Sequence, residues 1–174
     1  VNNESNPWYS SFYTQGSNLD LDKIMNGEDE AGYELLMKDI DLISEQLAKL
    51  RDSGVPVLWR PLHEASGGWF WWGDCEPESY IKLWNVMYDK MTNEHNLTNL
   101  IWVWNGQDPS WYPGDETVDI VAYDIYAGNL VDSCYSGTFA EAAEIPTETK
   151  LVALSENGCV MDPDKVMNGN SRWL

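Results

Sequence analysis

The sequence predicts a single α/β domain built on a parallel sheet. Short apolar segments that suit buried strands alternate with amphipathic segments, in the order helix, strand, helix, strand, strand, short helix and strand. No internal repeat or linker divides the 174 residues, a length that suits one hydrophobic core. We therefore treat residues 1–174 as one domain.

The first third of the chain predicts a loop, a helix and a strand. Residues 1–32 are rich in Asn, Ser, Gly and Asp without sustained periodicity, so we expect a long surface loop there. From Tyr33 apolar residues recur at steps of three and four, which predicts a helix that ends at Gly54. The short apolar run 55–62 then predicts a buried strand. The expected buried face of the helix consists of Tyr33, Leu36, Ile40, Ile43, Leu47 and Leu50.

The remainder of the chain predicts two more helices and three strands. Pro77 suits the first position of a second helix, and the segment 138–141 has the pattern of a capping box that opens a short third helix. Between the first two of the strands named below, we expect the helix to be weak or replaced by a loop around Trp111. The buried face of the second helix is predicted to hold Tyr80, Trp84, Met87 and Met91, and the strand signals are 100–104, 118–126 and 151–155.

The composition favours a carbohydrate partner over nucleic acid or membrane. Asp and Glu number 29 against 10 Lys and Arg, and the net charge of −19 repels polyanions and anionic lipids. No segment approaches the roughly 20 apolar residues that a spanning helix requires. Ten Trp and nine Tyr combine flat apolar faces with polar edges, which complement sugar rings.

Neither a disulfide scaffold nor a metal site is predicted. Cys75, Cys134 and Cys159 are too widely spaced for either, so we expect buried or free thiols. The pair His63 and Glu64 raises the possibility of zinc, but the helical HExxH pattern is absent, and His95 is the one further histidine in the sequence.

Two glutamates stand at the carboxyl ends of predicted strands. Glu64 follows the strand at 55–62, and Glu156 follows the strand at 151–155. Parallel α/β folds place their catalytic groups at these ends, and paired carboxylates facing a sugar are the machinery of glycoside hydrolysis. Both residues are therefore candidates for acid, base or nucleophile.

The loop after Glu64 carries four aromatic residues between glycines, namely Trp69, Phe70, Trp71 and Trp72. Such a loop at a strand end predicts stacking platforms for sugar rings. For Phe70 and Trp71 a buried aromatic cluster is an equally open interpretation.

Several segments resemble glycoside hydrolase family 26, most of whose members are β-1,4-mannanases. The run from Arg60 to Gly73 is similar to the signature of that family's fourth strand. Segments 100–104, 111–126 and 154–158 resemble its fifth, sixth and seventh strands, in the same order. The resemblance implies a (β/α)8 TIM barrel, of which this chain would hold about strands 4 to 7, because a full barrel needs about 250 residues.

The resemblance also implies a role for each site residue. Glu64 would be the general acid/base and Glu156 the nucleophile. Arg60 and Asp124 would support these carboxylates through charge-assisted hydrogen bonds, although an ordinary buried ion pair remains open for Arg60. Tyr126 would donate a hydrogen bond to the nucleophile. The residues expected to contact substrate are His63, Trp69, Trp72, Tyr126 and Trp111.

The implied function is that of a secreted, monomeric endo-β-mannanase that cleaves mannan, glucomannan or galactomannan with retention and without a cofactor. The same family resemblance leaves a β-1,3-1,4-glucanase or a xylanase open. A carbohydrate-binding protein without turnover is a further alternative. It would keep the tryptophans but has little reason to keep both strand-end glutamates.

Overall fold

Four parallel strands in sequence order form the centre of the computed structural model, which describes residues 8–127 and 134–174. Each strand pairs with the next along the chain. The predicted parallel α/β architecture is therefore confirmed, in the form of a half-barrel with helices packed on its outer side. The strands are β1 Val57–Trp59, β2 Leu100–Trp104, β3 Ile120–Ile125 and β4 Leu151–Asn157.

Five α-helices and several short turns precede, connect and follow the strands in the described part of the chain. The α-helices are α1 Leu21–Met25, α2 Glu30–Asp52, α3 Pro77–Asp89, α4 Ser136–Ala143 and α5 Pro163–Asn168. A π-helical turn, Lys90–Glu94, follows α3. The 3₁₀ turns are Trp8–Phe12, Thr14–Gly16, Ala65–Gly67, Pro109–Trp111 and Asp115–Thr117. The last two replace a helix between β2 and β3, as the sequence predicts.

The two faces of the sheet differ because side chains alternate along each strand. On the outer face Trp102, Trp104 and Val121 join the main core beneath α3. The inner face carries a smaller apolar set around Val103 and Ile120. That face lines an open cavity of about 480 Å³. Because side chains alternate, every second residue beyond Leu58, Val103 and Ile120 also points toward this concave side.

Helix α3 agrees with the sequence prediction, and α2 agrees in part. Pro77 is the first residue of α3, and all four predicted face residues are buried, although Met91 lies in the π-helical turn that follows α3. Gly54 lies just beyond α2 with φ +71, as expected of a residue that ends a helix. On α2 the prediction is wrong for Tyr33, Ile43 and Leu50, which are 37 to 39% exposed. The buried face of α2 is narrower than the stripe of apolar residues along the helix. The small residues Gly32 and Ser44 belong to this buried face, where neighbouring elements approach closely.

Two local predictions are wrong. The segment 1–32 is not loop throughout, since α1 buries Leu21 and Ile24 and is capped by the Asp20 side chain. Helix α4 does not begin with a capping box at Thr138, because it starts at Ser136 after Tyr135 in a left-handed conformation. Short polar and small-residue segments are recruited into helices here by packing, which periodicity does not detect.

All three cysteines are free thiols. Across residues 8–127 and 134–174, none of the helices has the length and apolar character needed to cross a bilayer. In the same ranges no three His, Cys, Asp or Glu side chains are grouped in a way that would hold a metal ion.

Candidate active site

Three polar side chains of the candidate site lie two residues after inward-facing apolar residues of β1, β2 and β3. Arg60 comes two residues after Leu58, Asn105 two after Val103, and Asp124 two after Ala122. With a period of two, all three point to the concave side at the carboxyl ends of the strands. Apolar residues deeper in each strand thus give way to polar residues at its end.

Arg60 connects the strand ends through its guanidinium group. Nη1 donates to Asn105 Oδ1 at 3.0 Å and to Asp124 Oδ2 at 3.1 Å. Nη2 donates to Glu156 Oε1 at 2.5 Å. The Asp124 side chain is fully buried, whereas those of Arg60 and Glu156 are 26 and 29% exposed. The planar guanidinium therefore holds Glu156 in one orientation against a buried countercharge.

A β-bulge turns Glu156 toward the concave side. The register of β3 and β4 runs from Tyr123 opposite Leu154 to Asp124 opposite Glu156, so Ser155 is an extra residue on β4. Strict alternation from Ala153 would place Ser155 inward and Glu156 outward. The bulge lets both face the site. Ser155 Oγ donates to Asp124 Oδ1 at 2.5 Å, and Glu156 reaches Arg60.

Glu156 is surrounded by groups that favour its ionised form. Burial acts to raise its pKa, but hydrogen bonds from Tyr126 Oη and from Arg60 outweigh that effect, and the pKa is lowered overall. The hydrogen bond to the carboxylate in turn raises the pKa of Tyr126 to about 12, so the phenol remains a donor. Glu156 is thus an anion held by two donors.

Glu64 occupies a strained backbone position. Its φ of 52° and ψ of 38° lie in the left-handed region, which costs a residue with a side chain about 1–3 kcal/mol. Its N–H donates to the Asn105 carbonyl oxygen at 2.7 Å and to Asn105 Oδ1 at 3.2 Å. The chain after β2 therefore fixes the direction in which the Glu64 side chain leaves the backbone.

The surroundings of Glu64 favour its protonated form. Burial is the largest cause of its raised pKa, and the negative charge of Asp124 adds to it. The indole of Trp69 donates from Nε1 to Glu64 Oε2 at 3.1 Å and acts in the opposite direction. One carboxyl group with a raised pKa and one with a lowered pKa thus face one concave site, which is the direction of difference that acid-assisted nucleophilic attack requires.

Trp69 is presented by a loop that is anchored to the N-terminal segment. Trp69 is 45% exposed, and its indole lies on Gly67, where a Cβ would meet the ring at 2.2 Å. Thr14 N donates to the Trp69 carbonyl at 2.9 Å, and Thr14 Oγ1 donates to the Gly68 carbonyl at 3.0 Å. Trp69 is the loop tryptophan with a face available to a sugar and an edge on Glu64.

Two other tryptophans predicted to contact substrate are packing residues in this structure, which corrects that prediction. Trp72 is 7% exposed, stacks on Phe70 at 4.5 Å and donates to the His63 carbonyl at 2.8 Å. Trp111 is 8% exposed and lies edge-on to Tyr80 at 5.3 Å. Neither ring offers a face to a ligand. The buried-cluster interpretation also holds for Phe70, which is 8% exposed.

His63 lies between the aromatic cluster and the charged network. Its ring centroid is 4.8 Å from that of Phe70 and 5.7 Å from that of Trp72. Burial lowers its pKa, and the positive charge of Arg60 acts in the same direction. The ring is therefore neutral near pH 7, able to donate from one nitrogen and accept at the other.

Asn105 and Ser155 belong to the site although sequence reasoning did not single them out. Asn105 directly follows a buried strand, so the strand-end criterion that identified the glutamates would have found it. Ser155 carried no such signal, because its contact with Asp124 depends on the bulge.

Comparison with known proteins gives a consistent set of relatives. The sequence model described as glycosyl hydrolase family 26 matches residues 1–174. A mannan endo-1,4-beta-mannosidase of Thermothelomyces thermophilus is 44% identical over 172 residues, covering 98% of this chain and 35% of that protein. Mannan endo-1,4-beta-mannosidase B of Piromyces sp is 38% identical over 165 residues, covering 94% of this chain and 28% of that protein.

Solved structures resemble the fold as well as the sequence. The GH26-CBM35 beta-(1,4)-mannanase of Podospora anserina matches with a TM-score of 0.88 at 43% identity, over 98% of this chain and 38% of that one. A second match is a beta-mannanase from a symbiotic protist of the termite Reticulitermes speratus, complexed with gluco-manno-oligosaccharide. Its TM-score is 0.77 at 40% identity, and the match covers 89% of this chain and 50% of that one. The chain spans about a third of the length of the curated relatives named above.

Proposed function

Because the chain belongs to glycosyl hydrolase family 26, we propose that it forms the catalytic part of an endo-β-1,4-mannanase that acts with retention of configuration. The observation that carries the proposal is the pair Glu64 and Glu156, whose pKa values are displaced in opposite directions at one concave site. A protonated acid beside an ionised nucleophile is the resting state that a retaining glycosidase needs.

In the first step, Glu156 attacks the anomeric carbon while Glu64 delivers its proton to the glycosidic oxygen. The bond between the anomeric carbon and that oxygen breaks, and a covalent glycosyl ester forms on Glu156. In the second step, the Glu64 carboxylate takes a proton from water, the water oxygen attacks the anomeric carbon, and Glu156 leaves as a carboxylate. Two inversions give net retention.

The neighbouring residues act on the two carboxylates. Arg60 and Tyr126 hold both oxygens of Glu156, so the attacking carboxylate is oriented before substrate arrives. Asp124 balances the charge of Arg60 and keeps it in place. Trp69 is placed to contact the sugar next to the acid, and His63 provides a neutral polar group nearby.

We place the substrate among the β-1,4-mannans, with glucomannan included. Support comes from relatives that are named mannan endo-1,4-beta-mannosidases and from the gluco-manno-oligosaccharide complex of one structural neighbour. We further propose one catalytic domain that works as a single chain outside the cell. Every catalytic group named above comes from this chain, and a polysaccharide is too large to enter a cell intact.

The test is hydrolysis of galactomannan, glucomannan, lichenan and xylan by the full-length protein and by its Glu156→Ala variant. We expect activity on the first two substrates and its loss in the variant. A preference for lichenan or xylan would move the substrate to another β-glycan. Binding without any turnover would favour a carbohydrate-binding protein instead.

Product stereochemistry tests the two-step mechanism. A nucleophile that attacks directly gives the β-anomer as first product, whereas a single displacement by water gives the α-anomer. Proton NMR of the first minutes of hydrolysis distinguishes these outcomes. Early appearance of the α-anomer would contradict the role assigned to Glu156.

A further inference from the structure

Asn105 is a fully buried polar side chain whose hydrogen-bonding capacity is used completely. Its exposed fraction is 0%. Oδ1 accepts from Arg60 Nη1 at 3.0 Å and from the backbone N–H of Glu64 at 3.2 Å. Nδ2 donates to the Ala122 carbonyl at 3.0 Å and to Ser155 Oγ at 3.4 Å. An amide suits this position because it accepts at one end and donates at the other.

The chain around Asn105 supports the strained segment that carries Glu64. Leu62 and Glu64 both have φ of 52°, a conformation that residues with side chains rarely keep without support. The Asn105 carbonyl accepts the Glu64 N–H at 2.7 Å, and the Gly106 carbonyl accepts the Ser66 N–H at 3.2 Å. The residues after β2 thus run beside residues 64–66 and hold them by backbone hydrogen bonds.

The Asn105 side chain accepts a second hydrogen bond from the Glu64 N–H, and through Arg60 it is connected to Glu156. Its Oδ1 is shared between the Glu64 N–H and Arg60, and the other nitrogen of Arg60 binds Glu156. Its Nδ2 anchors the amide to β3 through the Ala122 carbonyl, so Oδ1 cannot rotate away. The Asn105 side chain therefore contacts the backbone of Glu64 and the arginine that binds Glu156.

We propose that Asn105 is a positioning residue, which holds the backbone of Glu64 in the left-handed conformation from which its carboxyl group can reach the glycosidic oxygen. The inference rests on the acid/base role proposed for Glu64. Asn105 does not touch the sugar in this assignment and acts on the reaction through Glu64.

The test compares two substrates in the full-length protein. Transfer of the glycosyl group from a dinitrophenyl β-mannobioside to Glu156 needs no proton from the enzyme, because dinitrophenolate is a good leaving group. Cleavage of manno-oligosaccharides does need that proton. For Asn105→Ala we expect kcat/KM on manno-oligosaccharides to fall about tenfold or more, and kcat/KM on the activated substrate to fall less than about threefold. Misplacement of the acid affects only the step that uses it, and Arg60 keeps its bonds to Asp124 and Glu156 in this variant, so the nucleophile stays held.

Asn105→Asp provides a conservative second variant. A carboxylate keeps the acceptor for the Glu64 N–H and for Arg60 but loses the donor to the Ala122 carbonyl, so we expect manno-oligosaccharide hydrolysis between that of wild type and that of Asn105→Ala. Its added negative charge near Glu64 disfavours ionisation of that residue, so the basic limb of the pH profile should move to higher pH. A shift of that limb shows that position 105 is close enough to Glu64 to influence its ionisation, whereas the ratio of the two activities in Asn105→Ala tests the positioning role.

Asn99→Ala is the matched control for lost stability. Asn99 precedes β2 at the opposite end of the strand and donates from Nδ2 to the Val55 carbonyl at 2.9 Å, far from the carboxyl ends that form the site. We expect it to lower the melting temperature without changing the ratio of the two activities.

The outcomes separate the two proposals. An active wild type with equal losses on both substrates in Asn105→Ala, or with no loss, would overturn the positioning role and leave the mannanase assignment intact. A wild type without activity on any β-mannan would overturn both.

Discussion

At the scale of single residues, two identical side chains have pKa values that their surroundings shift in opposite directions. Burial and the charge of Asp124 raise the pKa of Glu64. Hydrogen bonds from Tyr126 and Arg60 overcome the effect of burial on Glu156 and lower its pKa. The difference comes from contacts made by other strands, and it supports the proposed roles of Glu64 as acid and Glu156 as nucleophile.

Glu64→Ala removes the proposed acid but leaves the nucleophile in place. We expect hydrolysis of unactivated mannan to fall by about 10²–10⁴. Formation of the glycosyl-enzyme from a dinitrophenyl glycoside should be spared, because that leaving group departs without a proton. Burst kinetics on the activated substrate measure this step. An equal loss on both kinds of substrate would contradict the assignment of Glu64 as the acid.

The pKa displacements also predict a bell-shaped pH profile. Activity should rise as pH increases through the lowered pKa of Glu156, since the nucleophile must be ionised. It should fall as pH increases through the raised pKa of Glu64, since the acid must be protonated. Because the groups lie in one charged network, the limbs report the pair. In Glu64→Gln the residual activity should lack the basic limb, and a limb that stays in place would refute its origin in Glu64.

At the scale of elements, the site depends on irregularities at the ends of regular strands. The bulge on β4 turns Glu156 toward Arg60. The loop after β1 places the Glu64 backbone beside Asn105 and the indole of Trp69 over Gly67. Regular strands supply a rigid frame, and these departures from regularity direct the side chains of the proposed acid and nucleophile.

Gly67→Ala tests how the loop holds Trp69. The new Cβ would meet the indole at 2.2 Å, so the ring must move and its hydrogen bond to Glu64 is lost. We expect kcat/KM on mannan to fall about tenfold, equivalent to about 1.4 kcal/mol. Gly137→Ala is the control, because nothing lies within 4 Å of its Cβ position in α4. There we expect unchanged activity and stability raised by about 0.4–1 kcal/mol. Similar activity in both variants would show that the Trp69 position is not needed.

At the scale of the whole molecule, the sheet has one covered face and one open face. Trp84, Trp102 and Trp104 fill the space between the sheet and α3. On the inner face Leu58 is 67% exposed, and at the β4 edge Leu151 is 59% exposed. An apolar concave face of this kind favours association when it meets water.

A polypeptide of only these 174 residues should therefore fold with low cooperativity or aggregate. The open inner face and the exposed edge of β1 lack partners in the described structure. Thermal melting followed by circular dichroism, together with light scattering, checks this expectation. A sharp two-state melt of a soluble monomer would show that the outer core alone is sufficient.

The sequence by itself determined the architecture and singled out the two glutamates that we propose as acid and nucleophile. Apolar runs separated by amphipathic segments predicted the parallel strands, and Pro77 marked the start of α3. These features follow from local periodicity and backbone chemistry, which each segment carries within itself. Glu64 and Glu156 were identified because the ends of parallel strands are recognisable along the chain.

Only the tertiary structure decided which neighbours those glutamates have. Trp69, Trp72 and Trp111 are the same residue type, yet only the first is exposed, because burial depends on what packs over each ring. The bulge at Ser155 and the support of Glu64 by Asn105 arise from pairing between strands far apart in sequence. Such contacts depend on register and three-dimensional distance, and a linear pattern contains neither.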